Sequence, residues 1–155
     1  MDRGVRVERR IRNSAKALIF RDGCMAAIKI NDNGDVFYVM PGGGQETEEL
    51  LVDAVIRECA EELGIVVTVN DLAFVVEGMH GEPFHRVDLV FLCQYVADIP
   101  NAQTQGDTNQ VGFEWIRVED LECQPLYPSK LRKQIVALYN SLPHDIYLGD
   151  ESMGS

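Results

Sequence analysis

The segment Pro41–Ile65, PGGGQETEELLVDAVIRECAEELGI, constrains this chain more than any other. Thr47 to Leu63 reads as a helix, with Gly64 just past its end as the cap. At about 100° per residue, Val52, Val55, Cys59 and Leu63 form one apolar stripe, which must be buried. Glu58, Glu61 and Glu62 gather on a separate face bordered by Arg57, because residues three and four apart are helical neighbours. Each like-charged pair at that spacing costs a few tenths of a kcal/mol even in solvent. An acidic surface helix alone would call for no further purpose. The loop of Gly42, Gly43 and Gly44 in front of it does, because backbone without Cβ lets a ligand approach closely. Glu46 and Glu49 add two acids at the same end. A hard, oxygen-preferring cation such as Mg²⁺ relieves this crowding and bridges to phosphate oxygens.

The spacing of these residues resembles the Nudix box, G-x5-E-x7-R-E-U-x-E-E-x-G-U, where U is a bulky aliphatic residue. Gly43 opens the pattern, Glu49 follows, and Arg57-Glu58, Glu61-Glu62, Gly64 and Ile65 complete it over residues 43–65. Cys59 at the first U position is the single departure, apolar but not aliphatic. Glu48 stands where many members have glycine. The resemblance implies an α/β (α+β) fold, an α/β/α sandwich with a mixed sheet, and cleavage of a phosphoanhydride bond. It implies that Glu58, Glu61 and Glu62 bind Mg²⁺ or Mn²⁺, that Arg57 orients catalytic carboxylates, and that Glu49 holds Arg57. The general base varies within the family; Glu58 or Glu61 is the expectation here, with Asp107 in a distant loop as the alternative. Gly42, Gly43 and Gly44 are expected beside the substrate.

The rest of the chain reads as a single domain, residues 1–155, without repeats or linkers. Ser14–Phe20 and Cys24–Ile30 flank Arg21-Asp22-Gly23, and Asp-Gly between apolar runs signals a hairpin. Asn31–Gly34 is a second turn before the β-rich Asp35–Met40, and Pro41 with the glycines stops that strand. Ile65–Val69, Leu72–Glu77, Phe84–Ala97 and Gly112–Val118 read as strands, and 98–110 as a loop. Ser129–Asn140 reads as a second helix, Ser129 its N-cap, with Leu131, Ile135 and Leu138 on one face. The hairpins exclude a purely parallel sheet, which points to a mixed sheet with helices on both faces. Leu142–Ser155 carries no pattern that places it, and its last residues are expected to be disordered.

Composition narrows the partners. The formal net charge of −11 repels a phosphate backbone, so a nucleic-acid polymer is not the expected partner, whereas a small nucleotide-like substrate screened by cations is. Cys24, Cys59, Cys93 and Cys123 form no C-x-x-C pair and sit in apolar contexts, which suggests buried, reduced thiols. No apolar run reaches membrane-span length and no secretory leader is recognisable, so a cytoplasmic protein without a membrane partner is expected. A homodimer stays open. His80, Glu82, His85 and Asp88 are weaker candidates for ligand contact, and Phe84, Phe113, Trp115 and Tyr127 for stacking on a base. The rival reading is a non-catalytic nucleotide-binding module of the same fold, but such modules generally lose box acids and this chain keeps all three. A Ca²⁺-binding or purely structural acidic helix leaves the glycines and Arg57 without a purpose.

Overall fold

The first hairpin follows its turn chemistry. Asp22 and Gly23 take φ of 51° and 78°, the left-handed pair that matches the twist of adjoining strands. They join β1 (Ile11–Arg21) to β2 (Cys24–Asp32), with Arg21 opposite Cys24. A second tight turn at Asn33-Gly34 leads to β3 (Asp35–Val39). The computed structural model describes residues 10–104 and 109–151. Asp107 and the last four residues therefore lie outside the described part.

Gly42–Gly44 is a short strand, β4, paired antiparallel with Ser14–Lys16 of β1, rather than the expected loop. Helix α1 spans Leu51–Leu63. It starts four residues later than the periodicity suggests, because Glu48 adopts a φ of 66° that a continuing right-handed helix excludes. That conformation also explains why glycine suits this position. Gly64 ends the helix at φ 66° with its N–H returned to the Ala60 and Cys59 carbonyls.

After α1 come β5 (Ile65–Gly78), β6 (His85–Asp98) and β7 (Gln110–Arg117). The two extended pieces expected over 65–77 are one strand with bulges. A 3-10 turn (Val118–Cys123), β8 (Leu126–Tyr127), helix α2 (Leu131–Tyr139) and β9 (Tyr147–Asp150) complete the described chain. The strand order is β8-β3-β2-β1-β6-β5-β9, with β4 on β1 and β7 on β2. β1 runs parallel to β6 while β2 and β4 are antiparallel to it, so the sheet is mixed.

Alternation along β1 and β2 divides the core between the faces. Ala15, Ala17, Ile19, Ala26 and Ile28 pack with Ala54, Val55, Cys59 and Leu63 of α1. Leu18, Met25 and Ala27 pack on the other side with Leu131 and Ile135 of α2. A helix thus covers each face. Val52 leaves the expected stripe and is 38% exposed, and Ala54 is buried instead. Of the thiols only Cys59 and Cys93 are buried; Cys24 is half-buried and Cys123 exposed, so the expectation fails for those two. No helix among the described residues is long and apolar enough to cross a membrane.

The N-terminus of α2 is capped from elsewhere. Ser129 is not the N-cap; its N–H and that of Lys130 donate to the Glu151 carboxylate at 2.8 and 2.7 Å, and the Ser129 hydroxyl points to the same group. Glu151 is held there by its own N–H on the Glu77 carbonyl, and only 7% of it is exposed. Glu151→Ala should lower unfolding stability by about 1–2 kcal/mol in urea titration, the scale of a lost cap with its donors left unpaired. Unchanged stability would refute this capping role.

Candidate active site

The box helix meets β1 through a glycine strand in which a side chain at Gly42 would strike backbone, and one at Gly43 or Gly44 would displace Glu58 or Arg12. A Cβ on Gly42 would lie 2.1 Å from the Ala15 carbonyl oxygen, and one on Gly43 would lie 2.5 Å from Glu58 Oε1. Gly42 also sits at φ 136°, which L side chains rarely adopt. This close approach brings the Gly42 N–H to Glu62 Oε1, a 2.7 Å hydrogen bond. Two members of the glycine triplet therefore face box carboxylates directly.

Arg57 spends its guanidinium on the same corner. Nε and Nη2 donate to the two oxygens of Glu49 at 2.7 and 2.9 Å, the bidentate fork that suits a carboxylate. Nη1 reaches Glu58 Oε1 at 2.9 Å and Glu61 Oε2 at 3.4 Å, and Nη2 also donates to the Gly44 carbonyl at 3.2 Å. The Glu49 carboxylate accepts the Glu46 N–H as well, tying the turn before α1 to the pair. Hydrogen bonding from Arg57, then from the Glu46 backbone, lowers the Glu49 pKa from 4.5 to about 2. Arg57 is in turn held charged, its pKa raised first by the hydrogen bond to Glu49.

Glu62 behaves in the opposite way. Burial pushes its pKa from 4.5 up to about 7, and the nearby Glu58 charge adds to the rise. The Gly42 N–H, the Lys16 charge and a 3.2 Å bond from Gln110 Nε2 pull it back only in part. Glu58 is 14% exposed and Glu61 47%. Glu58, Glu61 and Glu62 share the helix but turn to separate partners, two to Arg57 and one to Gly42 and Gln110. Among the described residues no three His, Cys, Asp or Glu side chains converge in metal-binding geometry. The donor set still suits a hard divalent ion, since all its atoms are carboxylate oxygens and Glu58 and Glu62 repel each other.

Across β1 from the box lies a cleft of about 120 Å³ lined by Lys16, Met40, Asp88, Tyr127 and Leu131 among others. Lys16 joins the two regions, because a Cβ on Gly42 would meet its side chain at 2.9 Å. Tyr127 and Asp88 are thus placed at the cleft, as is Glu82. His85 instead pairs with Glu77 at 2.8 Å, and Phe113 and Trp115 pack edge to face against the α1-side core. Phe84 lies under the Arg12 guanidinium. Sequence reasoning missed Lys16, Met40 and Gln110; none carries a local pattern, and only the pairing of β1 with β4 brings Lys16 to the glycines.

The family profile for the NUDIX domain matches residues 10–138, from the residue before β1 to the last turn of α2, and includes the whole box. The chain belongs to the Nudix family. An uncharacterized Nudix hydrolase of Bacillus subtilis (strain 168), YvcI, is 30% identical over 92 residues, 59% of this chain and 58% of that protein, so the match spans under two thirds of the relative's length. The MutT protein of Methanosarcina mazei Go1 superposes with a TM-score of 0.68 at 24% identity, covering 87% of this chain and 99% of that one. An ADP-ribose pyrophosphatase of Streptococcus suis 89-1591 superposes at 0.63 with 20% identity, over 90% and 98% of the two chains. At these identities the two superpositions establish the Nudix fold.

The Glu62 shift has a stability consequence with a definite sign. A carboxyl whose folded pKa lies above its unfolded one favours the fold below pH 4.5, and loses that advantage as pH rises through about 7. The full shift corresponds to at most about 3 kcal/mol. Glu62→Gln should therefore flatten the fall in metal-free stability between pH 4.5 and 8, measured by urea unfolding in chelator. A variant with the wild-type slope would exclude Glu62 as its source. Glu49 works the other way: its contribution is present above pH 4.5 and is lost as pH falls towards 2.

Proposed function

We propose that this Nudix protein is a Mg²⁺- or Mn²⁺-dependent pyrophosphohydrolase acting on a nucleoside diphosphate linked to another moiety, such as a nucleoside triphosphate or ADP-ribose. The observation that carries the reading is the corner where Glu58 and Glu62, one helical turn apart, abut Gly43 and Gly42 beside Lys16. Few surfaces of a chain with net charge −11 attract a polyphosphate. Lys16, with Arg12 against Gly44, supplies local positive charge along β1 at this corner.

Glu58, Glu61 and Glu62 would hold the cation. The chemistry such an ion would supply when bound is neutralisation of phosphate oxygens and a water acidic enough to attack near neutral pH. The residues of the chain do the rest. Glu49 fixes Arg57, and Arg57 bonds both Glu58, which abuts Gly43, and Glu61, so two of the three carboxylates are anchored to one guanidinium before they turn to a cation. Glu58 or Glu61 takes the proton from the attacking water. Glu62 must be ionised to act as a ligand, and because burial raises its pKa to about 7 in the metal-free protein, a cation binding there below neutrality would displace its proton. The Streptococcus suis protein's name supports a nucleoside diphosphate derivative as substrate class, and the retained Glu58, Glu61 and Glu62 support catalysis over mere binding.

A phosphate-release screen across nucleotide sugars, triphosphates and dinucleoside polyphosphates with Mg²⁺ tests the class directly. Turnover should vanish in excess chelator and return with Mg²⁺ or Mn²⁺; full turnover in chelator would sink the proposal. The rate should climb from pH 6 to pH 8 as the attacking water loses its proton more readily, and a maximum near pH 5 would contradict this.

Glu62→Gln should cut kcat by a hundredfold or more, roughly 3 kcal/mol of barrier, without lowering the metal-free melting temperature at pH 8. Mg²⁺-induced stabilisation should shrink in parallel. Glu58→Gln is expected to lose comparable activity, although it also weakens the Arg57 pair. A Glu62→Gln protein that melts several degrees lower without metal yet turns over normally would show that the carboxylate serves the scaffold.

A further inference from the structure

Asp88 is the one buried acid whose surroundings leave a bond unmade among the described residues. It is 3% exposed on β6, and its Oδ2 accepts from Arg86 Nε at 2.9 Å. Its Oδ1 has no hydrogen-bond partner among the described residues. Leaving a buried acceptor unsatisfied is costly, which is why such atoms are rare and call for a reason. The neighbouring guanidinium does not supply the missing bond. Arg86, itself 6% exposed, is already committed through Nη1 to Glu82 at 2.8 Å and has Nη2 3.5 Å from the Glu151 carbonyl.

The location supplies the reason. Asp88 lines the cleft that opens beside Lys16, whose apolar walls are Val39, Met40, Val90, Tyr127 and Leu131. A dry cavity of about 150 Å³ holds a benzene ring, so this cleft of about 120 Å³ with an open mouth suits one planar ring and not a whole nucleotide. Aliphatic walls with one aromatic side chain suit the faces of such a ring. A carboxylate oxygen can only accept, so the ring edge meeting it must donate. Lys16 stands between the cleft and Gly42, where it can meet phosphates of a ligand whose ring lies in the cleft.

We infer that Asp88 is a specificity-determining residue: its Oδ1 accepts a hydrogen bond from an amino group on a heterocyclic base seated in the cleft against Met40, Tyr127 and Leu131. This rests on the reading that the site takes a nucleotide, and it adds which bases are preferred. Bases with an amino group at that edge bind, and analogues lacking only that group leave the buried oxygen unpaired. Asp88→Asn should keep the bond to Arg86 through its amide oxygen while presenting NH₂ where Oδ1 stood, replacing acceptor by donor at constant shape.

The test is equilibrium binding of nucleoside 5′-monophosphates in Mg²⁺, in pairs that differ chiefly by the amino group: adenosine against purine riboside, guanosine against inosine, cytidine against uridine. Wild-type protein should separate at least one pair by about tenfold or more in Kd, and Asp88→Asn should reduce that ratio to near one or invert it. If Asp88→Asn does not fold, Asp88→Val, branched as suits a strand and with no acceptor, carries the same expectation of a lost ratio. No pair separated tenfold, whether through equal binding or none, overturns the inference, as does a ratio unchanged in the variant. The hydrolase reading stands or falls separately. Turnover of pyrophosphate-linked substrates without base discrimination would keep that reading and remove Asp88 from it. Discrimination that depends on Asp88, with no turnover of any such substrate, would do the reverse.

Discussion

Every part of the site hangs on the hydrogen-bond ladder of β1. One strand pairs with β6 along residues 11–19, with β4 at residues 14–16, and with β2 at its far end. Its alternating side chains divide the two cores, so small Ala15 and Ala17 face α1 while Leu18 faces α2. Lys16 lies opposite Gly42 in the register and the Arg12 side chain reaches Gly44, so the strand carries both the scaffold and the local positive charge at this corner. A register shift of one residue would reverse these faces, sending Lys16 into the α1 core and Ala15 towards the cleft. The same ladder sets how near the glycines come, since Gly42 fits only by lying against the Ala15 carbonyl.

On that frame Arg57 acts as a clamp within the box. A guanidinium with its donors directed to Glu49, Glu58, Glu61 and the Gly44 carbonyl joins the turn, the helix and the glycine strand in one polar unit. Such an array is worth more as geometry than as net stability, because partly exposed ion pairs contribute little once desolvation is counted. It also sorts the carboxylates electrically. Glu49, bonded on both oxygens, stays ionised far into acid, whereas Glu62, sunk beside Glu58 and away from the guanidinium, holds its proton to about pH 7. Two chemically identical side chains on neighbouring elements are thereby given different tasks.

Much of this was legible in local sequence, and the limits fall where contacts become distant. Asp22-Gly23 and Gly64 announce themselves because their backbone angles are local properties, and the box spacing places its acids on one helix face. The helix start is misread by four residues because apolar periodicity does not show the left-handed turn at Glu48. The glycines look like a loop because their strand partner lies far back in the chain, on β1. Ser129 looks like a cap by its chemistry, yet a carboxylate from Glu151 takes the α2 donors. Asp88 is weighed from sequence as one weak candidate among several, since its burial and its unpaired oxygen exist only once β1, β6, β8 and α2 have been assembled. Asp107, the alternative base, lies outside the described residues.

The Glu151 tie has a consequence for the order in which the molecule is made. Through its side chain this residue holds the start of α2, and through its backbone it touches Glu77 and Arg86, the partner of Asp88. A ribosome releases the box and most of the sheet well before it releases Glu151. During that interval the α2 donors and the Arg86 guanidinium lack this partner, so the cleft side of the domain is incomplete while the box side already has all its residues. The face that holds the cleft is thus finished by a residue from the far end of the described chain.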